Sequence, residues 1–328
     1  MAQELNQLNQ LNHLYGDIDG VRLHWVQLGQ QNTESAEHVP IVLLHGLTDS
    51  HLTWRAVAAE LAVDHCVLAP DLPGCGLSER PNASYRLQWH AHVIARWLER
   101  LDLRRVDVVG HSFGGGVAQM LLLECPERIR RIVLVASGGL GRDVGFWLKF
   151  ATFPHFVEHY GQAFMPFGTR RALGHVRDER TKQDVRALSA MNAKRGTARA
   201  FSRTVRDVIG FRGQTRLFLQ RAHEIAAFPP IAVLWGEADK LIPVAHGRAF
   251  TERMEGVRFQ SFPECGHYVH QERPAEVVAA IRDFLDDSNA AAVRLRPGLV
   301  VHRPPVTRVR RAFGAIRQSL KRRSAKAL

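Results

Sequence analysis

Residues 106–123 read VDVVGHSFGGGVAQMLLL: an apolar run, a bend crowded with glycines, and a second apolar run of helical length. A short β-branched run closed by a tight turn predicts a strand, and the longer run after it predicts a helix. The bend is a GxSxG pentad, Gly110 to Gly114, with Ser112 at its centre. Its glycines leave little side chain around the turn, so one hydroxyl is set apart at the top of a strand.

The same alternation recurs from about residue 40 onward and predicts βα units around a parallel sheet, an α/β fold. Strands are expected at PIVLLHG from Pro40, HCVLAPDL from His65, VDVVGHS from Val106, RIVLVAS from Arg131, IAVLWGE from Ile231 and VRFQSFPE from Val257. Helices are expected over 51–61, 84–101, 113–125, 245–254 and 274–286, and GDIDGVRLHWVQLG ahead of them reads as an edge hairpin. The alternation stops between Gly139 and Pro229, where helical patterns run on without a convincing strand. The chain therefore divides into a first core part (1–138), a helical insertion or lid (139–229), a second core part (230–290) and a tail (291–328). FWLKFATFPHFVEHYGQAFMPF, in the insertion, carries eight of the chain's 26 aromatic residues. An ordinary helical core and an apolar substrate pocket both account for it.

A formal charge of +12 would by itself suggest an anionic partner, but residues 291–328 hold eleven Lys or Arg and no acid, leaving 33 basic against 32 acidic groups before them. The body is nearly neutral and the tail is basic. In PVTRVRRAFGAIRQSLKRR, the residues Val306, Val309, Phe313, Ile316 and Leu320 step at helical spacing, so the tail reads as a basic amphipathic helix. An anionic membrane surface, a solvated extension and a helix docked on the insertion remain open for it. Nucleic acid is disfavoured because no aromatic platform interleaves the charges. Cys66, Cys75, Cys125 and Cys265 are scattered without CxxC or metal-like spacing, which predicts free thiols in a reducing compartment. The Leu-Asn repeats of the N-terminus lack a signal peptide's basic start and apolar stretch, and no run of ~18 apolar residues occurs. A cytoplasmic location is expected, peripheral to the inner membrane if the tail binds lipid.

A serine hydroxyl attacks a carbonyl only when a base takes its proton and the turn presents it clear of the backbone. Five segments in order, LLHGLTDSHLTW, DLPGCGLSERP, GHSFGG, WGEADKLIP and ECGHYVHQERP, resemble the α/β-hydrolase fold of the lidded serine esterase and lipase kind over residues 20–288. The resemblance implies Ser112 as nucleophile, His267 as general base and Asp239 as the acid that orients it, in the family's chain order. His270 and Glu237 stand as rivals to His267 and Asp239. An acid after the strand that follows the nucleophile helix is ruled out, because that strand ends in Ala136 and Ser137 and no carboxylate occurs before Asp143. The backbone NH groups of Leu47 and Phe113 are the implied oxyanion donors. Candidates for the pocket wall are His45, His111, Trp147, Phe150 and Tyr268, with His45 and His111 also readable as loop braces. Asp71 to Ser78 resembles a loop-bracing stretch near the entrance, and no partner cluster in the sequence gives Asp71 a metal role.

Relatives that use aspartate at the elbow, the haloalkane dehalogenases and epoxide hydrolases, are disfavoured by Ser112. Carbon-carbon bond hydrolases usually carry asparagine before the serine and tryptophan after the histidine, where this chain has His111 and Tyr268. Cofactor-free haloperoxidases tend to place an aromatic residue before the serine. The expected reaction is hydrolysis of a small-molecule or lipid-like acyl ester with no metal and no cofactor. C–C bond hydrolysis, perhydrolysis and a non-catalytic ligand-binding role are the alternatives.

Overall fold

A computed structural model describes residues 12–29, 39–150, 156–173 and 179–296. The chain opens with β1 (Asn12–Ile18) and β2 (Val21–Leu28), joined at Asp19 and Gly20. Both turn residues have positive φ, the Asp-Gly turn whose twist suits an antiparallel pair. Next come β3 (Ile41–Leu44), α1 (Arg55–Leu61), β4 (Val67–Asp71), α2 (Leu87–Arg100), β5 (Val106–His111), α3 (Phe113–Glu124) and β6 (Ile129–Val135). The insertion between this strand and the next contains α4 (Phe146–Phe150), α5 (Phe156–Tyr160), α6 (Met165–Leu173), α7 (Glu179–Asn192) and α8 (Thr197–Val208), and a minimal hairpin of β7 (Ile209–Gly210) and β8 (Gly213–Gln214). The core resumes with β9 (Ile231–Gly236), α9 (Ala245–Arg253), β10 (Met254–Glu255), β11 (Arg258–Phe262), α10 (Val269–Glu272), α11 (Pro274–Asp286) and β12 (Arg294–Leu295).

Eight strands form one sheet in the order β1-β2-β4-β3-β5-β6-β9-β11, with antiparallel pairing confined to the β1, β2 and β4 edge. Side chains of successive strand residues point to opposite faces, so a strand buried on both sides must be apolar throughout. In β3, Val42 and Leu44 join one core with Trp97 and Leu98 of α2 and Val117 and Leu121 of α3, while Ile41 and Leu43 join the other with Val57 and Leu61 of α1 and Val277 and Ile281 of α11. Val108 and Val109 of β5 divide in the same way. Burying each such side chain contributes about 1.5–3 kcal/mol.

Two sequence expectations need revision. The insertion does contain a short hairpin, whose two-residue strands are too brief to leave an alternating pattern. The tail was placed from residue 291, yet Val293 is buried, β12 pairs with β10, and the Arg296 amide donates to the Arg253 carbonyl at 3.0 Å. Residues 291–296 therefore pack on the core. The amphipathic pattern from Val306 to Leu320 lies outside the described residues.

Candidate active site

Strand β5 ends at His111 and helix α3 begins at Phe113, leaving Ser112 alone on the turn with φ 52° and ψ −114°. A non-glycine residue held there stores roughly 1–3 kcal/mol of backbone strain, which persists only when the surroundings fix it. They do so by close approach. A Cβ at Gly114 would lie 2.3 Å from the Leu44 carbonyl oxygen, and one at Gly110 would lie 2.6 Å from that of Gly114. The glycines of the pentad are thus required by backbone packed against backbone, and the elbow that results lifts the hydroxyl off the sheet.

Two late loops converge on it. His267 Nε2 lies 3.0 Å from Ser112 Oγ, and His267 Nδ1 donates to Asp239 Oδ2 at 2.7 Å. The other oxygen, Asp239 Oδ1, accepts the amides of Leu241 and Ile242 at 2.8 and 2.9 Å, which pins the carboxylate in place. The Asp239 side chain is fully buried and that of His267 nearly so. This set can pass a proton from hydroxyl to imidazole while the carboxylate fixes the tautomer. The rivals sit elsewhere. His270 is buried behind the site, its Nε2 accepting from Thr53 Oγ1 at 2.8 Å and its ring 4.4 Å from Trp54, and burial pushes its pKa down to about 3. Glu237 is committed to Ser261 and Arg248, and Asp143 is exposed near His246.

Phe113 is the first residue of α3, so its amide is one of those that no helical carbonyl can accept. The loop carrying Leu47 lies against the elbow, because a Cβ at Gly46 would meet Ser112 Cβ at 3.5 Å and His111 Nδ1 at 3.0 Å. His45 braces this loop: its Nδ1 donates to the Gly46 carbonyl at 2.7 Å and its Nε2 accepts the Leu72 amide at 2.9 Å. Burial holds the His45 imidazole below its usual pKa, consistent with this neutral, two-sided role. His111 is held by its own bond, donating from Nε2 to the His267 carbonyl at 3.0 Å. Burial, then the imidazoles of His270 and His267, push its pKa well below the ordinary histidine range. Tyr268 packs edge-on to His267, with ring centroids 5.5 Å apart, and does lie beside the site. Trp147 and Phe150 fall on α4, but their side chains lie outside the described residues.

Two groups near the site, Asn192 and Asp49, and the partners of Asp71 leave no signal in the sequence. Asn192, buried at the end of α7, donates from Nδ2 to the Thr48 carbonyl at 2.9 Å and so ties the insertion to the Leu47 loop. Asp49 is a buried carboxyl whose pKa burial pushes up to about 7. Asp71, for which the sequence offered no partner cluster, has one: His24 and His51 donate from Nδ1 to its two oxygens at 2.7 and 3.0 Å. The three residues bring metal-ligating atoms within 4.8 Å of one another, but the same two oxygens also take the amides of Leu77 and His51, both at 2.7 Å. Burial works to raise the Asp71 pKa; the charge of His51 and the hydrogen bonds of both imidazoles outweigh it and hold the group below the carboxylate range. The network fastens β2, the His51 turn and the Gly74–Ser78 loop together. No spacing rule signals any of the three, since each depends on contacts between distant segments.

Comparison with known proteins agrees with the fold. The sequence profile of the alpha/beta hydrolase fold matches residues 39–274. An uncharacterized protein of Mycobacterium tuberculosis is 32% identical over 267 residues, covering 76% of each chain. The 2-hydroxymuconate semialdehyde hydrolase of Pseudomonas sp. strain CF600 is 30% identical over 268 residues, covering 79% of this chain and 91% of its own. Among solved structures, the enol-lactonase of Burkholderia xenovorans LB400 superposes with a TM-score of 0.68 at 20% identity, covering 84% of this chain and all of its own. A serine on a strained strand-to-helix elbow of a mostly parallel sheet, met by the loops that follow β9 and β11, and a profile match across most of the length have one meaning: the chain belongs to the alpha/beta hydrolase fold family.

Proposed function

We propose that the protein is a serine hydrolase that cleaves carboxylic esters through an acyl-enzyme. The observation that carries this reading is the unbroken line from Ser112 Oγ to His267 Nε2 at 3.0 Å and from His267 Nδ1 to Asp239 Oδ2 at 2.7 Å. Ser112 attacks the ester carbonyl while His267 takes its proton, and the amides of Leu47 and Phe113 hold the developing oxyanion, each worth ~3–4 kcal/mol in the transition state. His267 then gives the proton to the departing alcohol. Water enters, His267 takes one of its protons, and the acyl group leaves as the carboxylic acid. The chemistry needs no cofactor. The helical insertion acts as the lid over a pocket for a lipid-like acyl group, with Tyr268 at its wall.

A second reading, hydrolysis of a C–C bond beside a carbonyl on the same triad, is favoured by the 30% identity to 2-hydroxymuconate semialdehyde hydrolase. Against it stand His111 and Tyr268, where such hydrolases usually carry asparagine and tryptophan. Turnover of a p-nitrophenyl ester series, set beside a 2-hydroxy-6-oxo-dienoate, separates the two. Ester turnover at least tenfold above that of the dienoate is expected, and the reverse order would replace the first reading by the second. Ser112→Ala is expected to abolish labelling by a fluorophosphonate while the protein stays folded; persistent labelling removes Ser112 from the mechanism.

A further inference from the structure

The insertion carries an exposed feature that the triad does not use. From α5 through a 3-10 turn (Gly161–Phe164) into α6, Tyr160, Phe164 and Phe167 fall at helical i, i+4 and i+7 spacing. All three face outward, at 67%, 64% and 65% exposure. The orientation is fixed from behind: Gln162 donates to the Asn192 carbonyl and accepts the Ala198 amide, and Thr169 Oγ1 accepts from Asn192. No charged residue occurs between Tyr160 and Thr169, and Arg170 and Arg171 close the stretch. Phe211, beside Arg212 between β7 and β8, is a further aromatic on the insertion, 92% exposed.

Charge is divided as well. Residues 139–229 hold 16 Lys or Arg against 7 Asp or Glu, whereas 1–138 and 230–290 together hold 17 against 25, so the insertion is net +9 and the rest of the body net −8. Among the described residues, four of the insertion's carboxylates, Glu158, Asp184, Asp207 and Glu224, are already paired with arginines. A surface that receives this face must therefore be apolar below and anionic above.

We propose that the outer face of residues 160–170 docks on an anionic lipid surface, with Phe164 and Phe167 entering the headgroup–acyl boundary and the insertion's cations held at the phosphates. The proposal holds whichever bond the triad cuts. The full-length protein is mixed with vesicles of phosphatidylcholine and phosphatidylglycerol in equal parts, and with phosphatidylcholine alone. Binding to the anionic vesicles that weakens with salt is expected, and Phe164→Ser combined with Phe167→Ser is expected to weaken it at least about tenfold while turnover of a short soluble ester is unchanged. Because residues 291–328 are also basic, a second measurement reads the site directly: an environment-sensitive fluorophore on Phe167→Cys is expected to be quenched by brominated acyl chains. A label that stays in water, or vesicle binding equal in the wild type and the double variant, assigns any attachment to the tail and overturns the proposal. Failure to bind vesicles overturns it too. So does a dimer in solution that the double variant converts to monomer, since the face would then belong to a second copy.

Discussion

Asp239 does two separable jobs with its two oxygens. Oδ2 receives the Nδ1 proton of His267, and Oδ1 caps the amides of Leu241 and Ile242. Asparagine keeps one carbonyl oxygen and can retain the cap, but its NH2 group would face Nδ1 and favour the tautomer that leaves a proton on Nε2, where the base is needed. Asp239→Asn is therefore expected to lower kcat on a p-nitrophenyl ester by roughly 10⁴ with a change of less than ~1 kcal/mol in stability. A melting curve and a rate measurement on one preparation check both halves. Activity within tenfold of the wild type would show that the carboxylate is not the partner of the base.

At the level of elements, the insertion also completes a helix of the core. Helix α2 starts after Arg86, which supplies no side-chain cap, and the Leu87 amide is instead taken by Asp207 of α8 at 2.9 Å. His90, one turn into α2, is buried against the same helix, with Nε2 3.4 Å from Thr204 Oγ1 and its ring edge-on to Phe113 at 5.1 Å. Burial pushes the His90 pKa down to about 3. The folded value lies below the unfolded one of ~6.5, so as pH falls the unfolded chain takes up the proton first. The stabilisation is complete above about pH 6.5 and declines as pH drops towards 3, at up to ~1.4 kcal/mol per unit. His90→Gln removes this titration. Between pH 7.5 and 5 the wild type is expected to lose about 2 kcal/mol more than the variant in denaturant unfolding; parallel curves would show that His90 does not hold its neutral form in the fold. These elements also mark how far the sequence could be read. The strands and helices of the core were legible because each is dictated by its own apolar pattern, and the elbow was legible because glycine at fixed offsets admits few explanations. The Asp207 cap, the Asn192 tie to Thr48 and the Asp71 network each join residues far apart in sequence, and nothing local at either end encodes the meeting.

Across the whole molecule, the insertion is fastened to the core by buried apolar residues such as Phe218 and Phe228 and by arginines donating to backbone carbonyls. Arg80 of the core reaches Thr197 Oγ1 and the Met191 carbonyl, while Arg199 and Arg203 of the insertion reach the carbonyls of Arg80 and Ala83. Opposite net charges on the two parts favour the same attachment, and this segregation was hidden in the sequence by a body total near zero. The packing of residues 291–296 on the core was hidden for a related reason. Residues 291–296 share the basic composition of residues 297–328, yet Val293 is buried, Leu295 pairs with Met254, and the Arg296 amide is bonded to Arg253. Losing one buried valine forfeits about 1.5–3 kcal/mol, and each lost backbone hydrogen bond about 1 kcal/mol. A chain ending at Asn289 is therefore expected to lose roughly 3 kcal/mol relative to one ending at Arg296, because Met254 and the end of α9 are uncovered. Equal midpoints for the two truncations would mean that the β10–β12 pair contributes nothing to the fold.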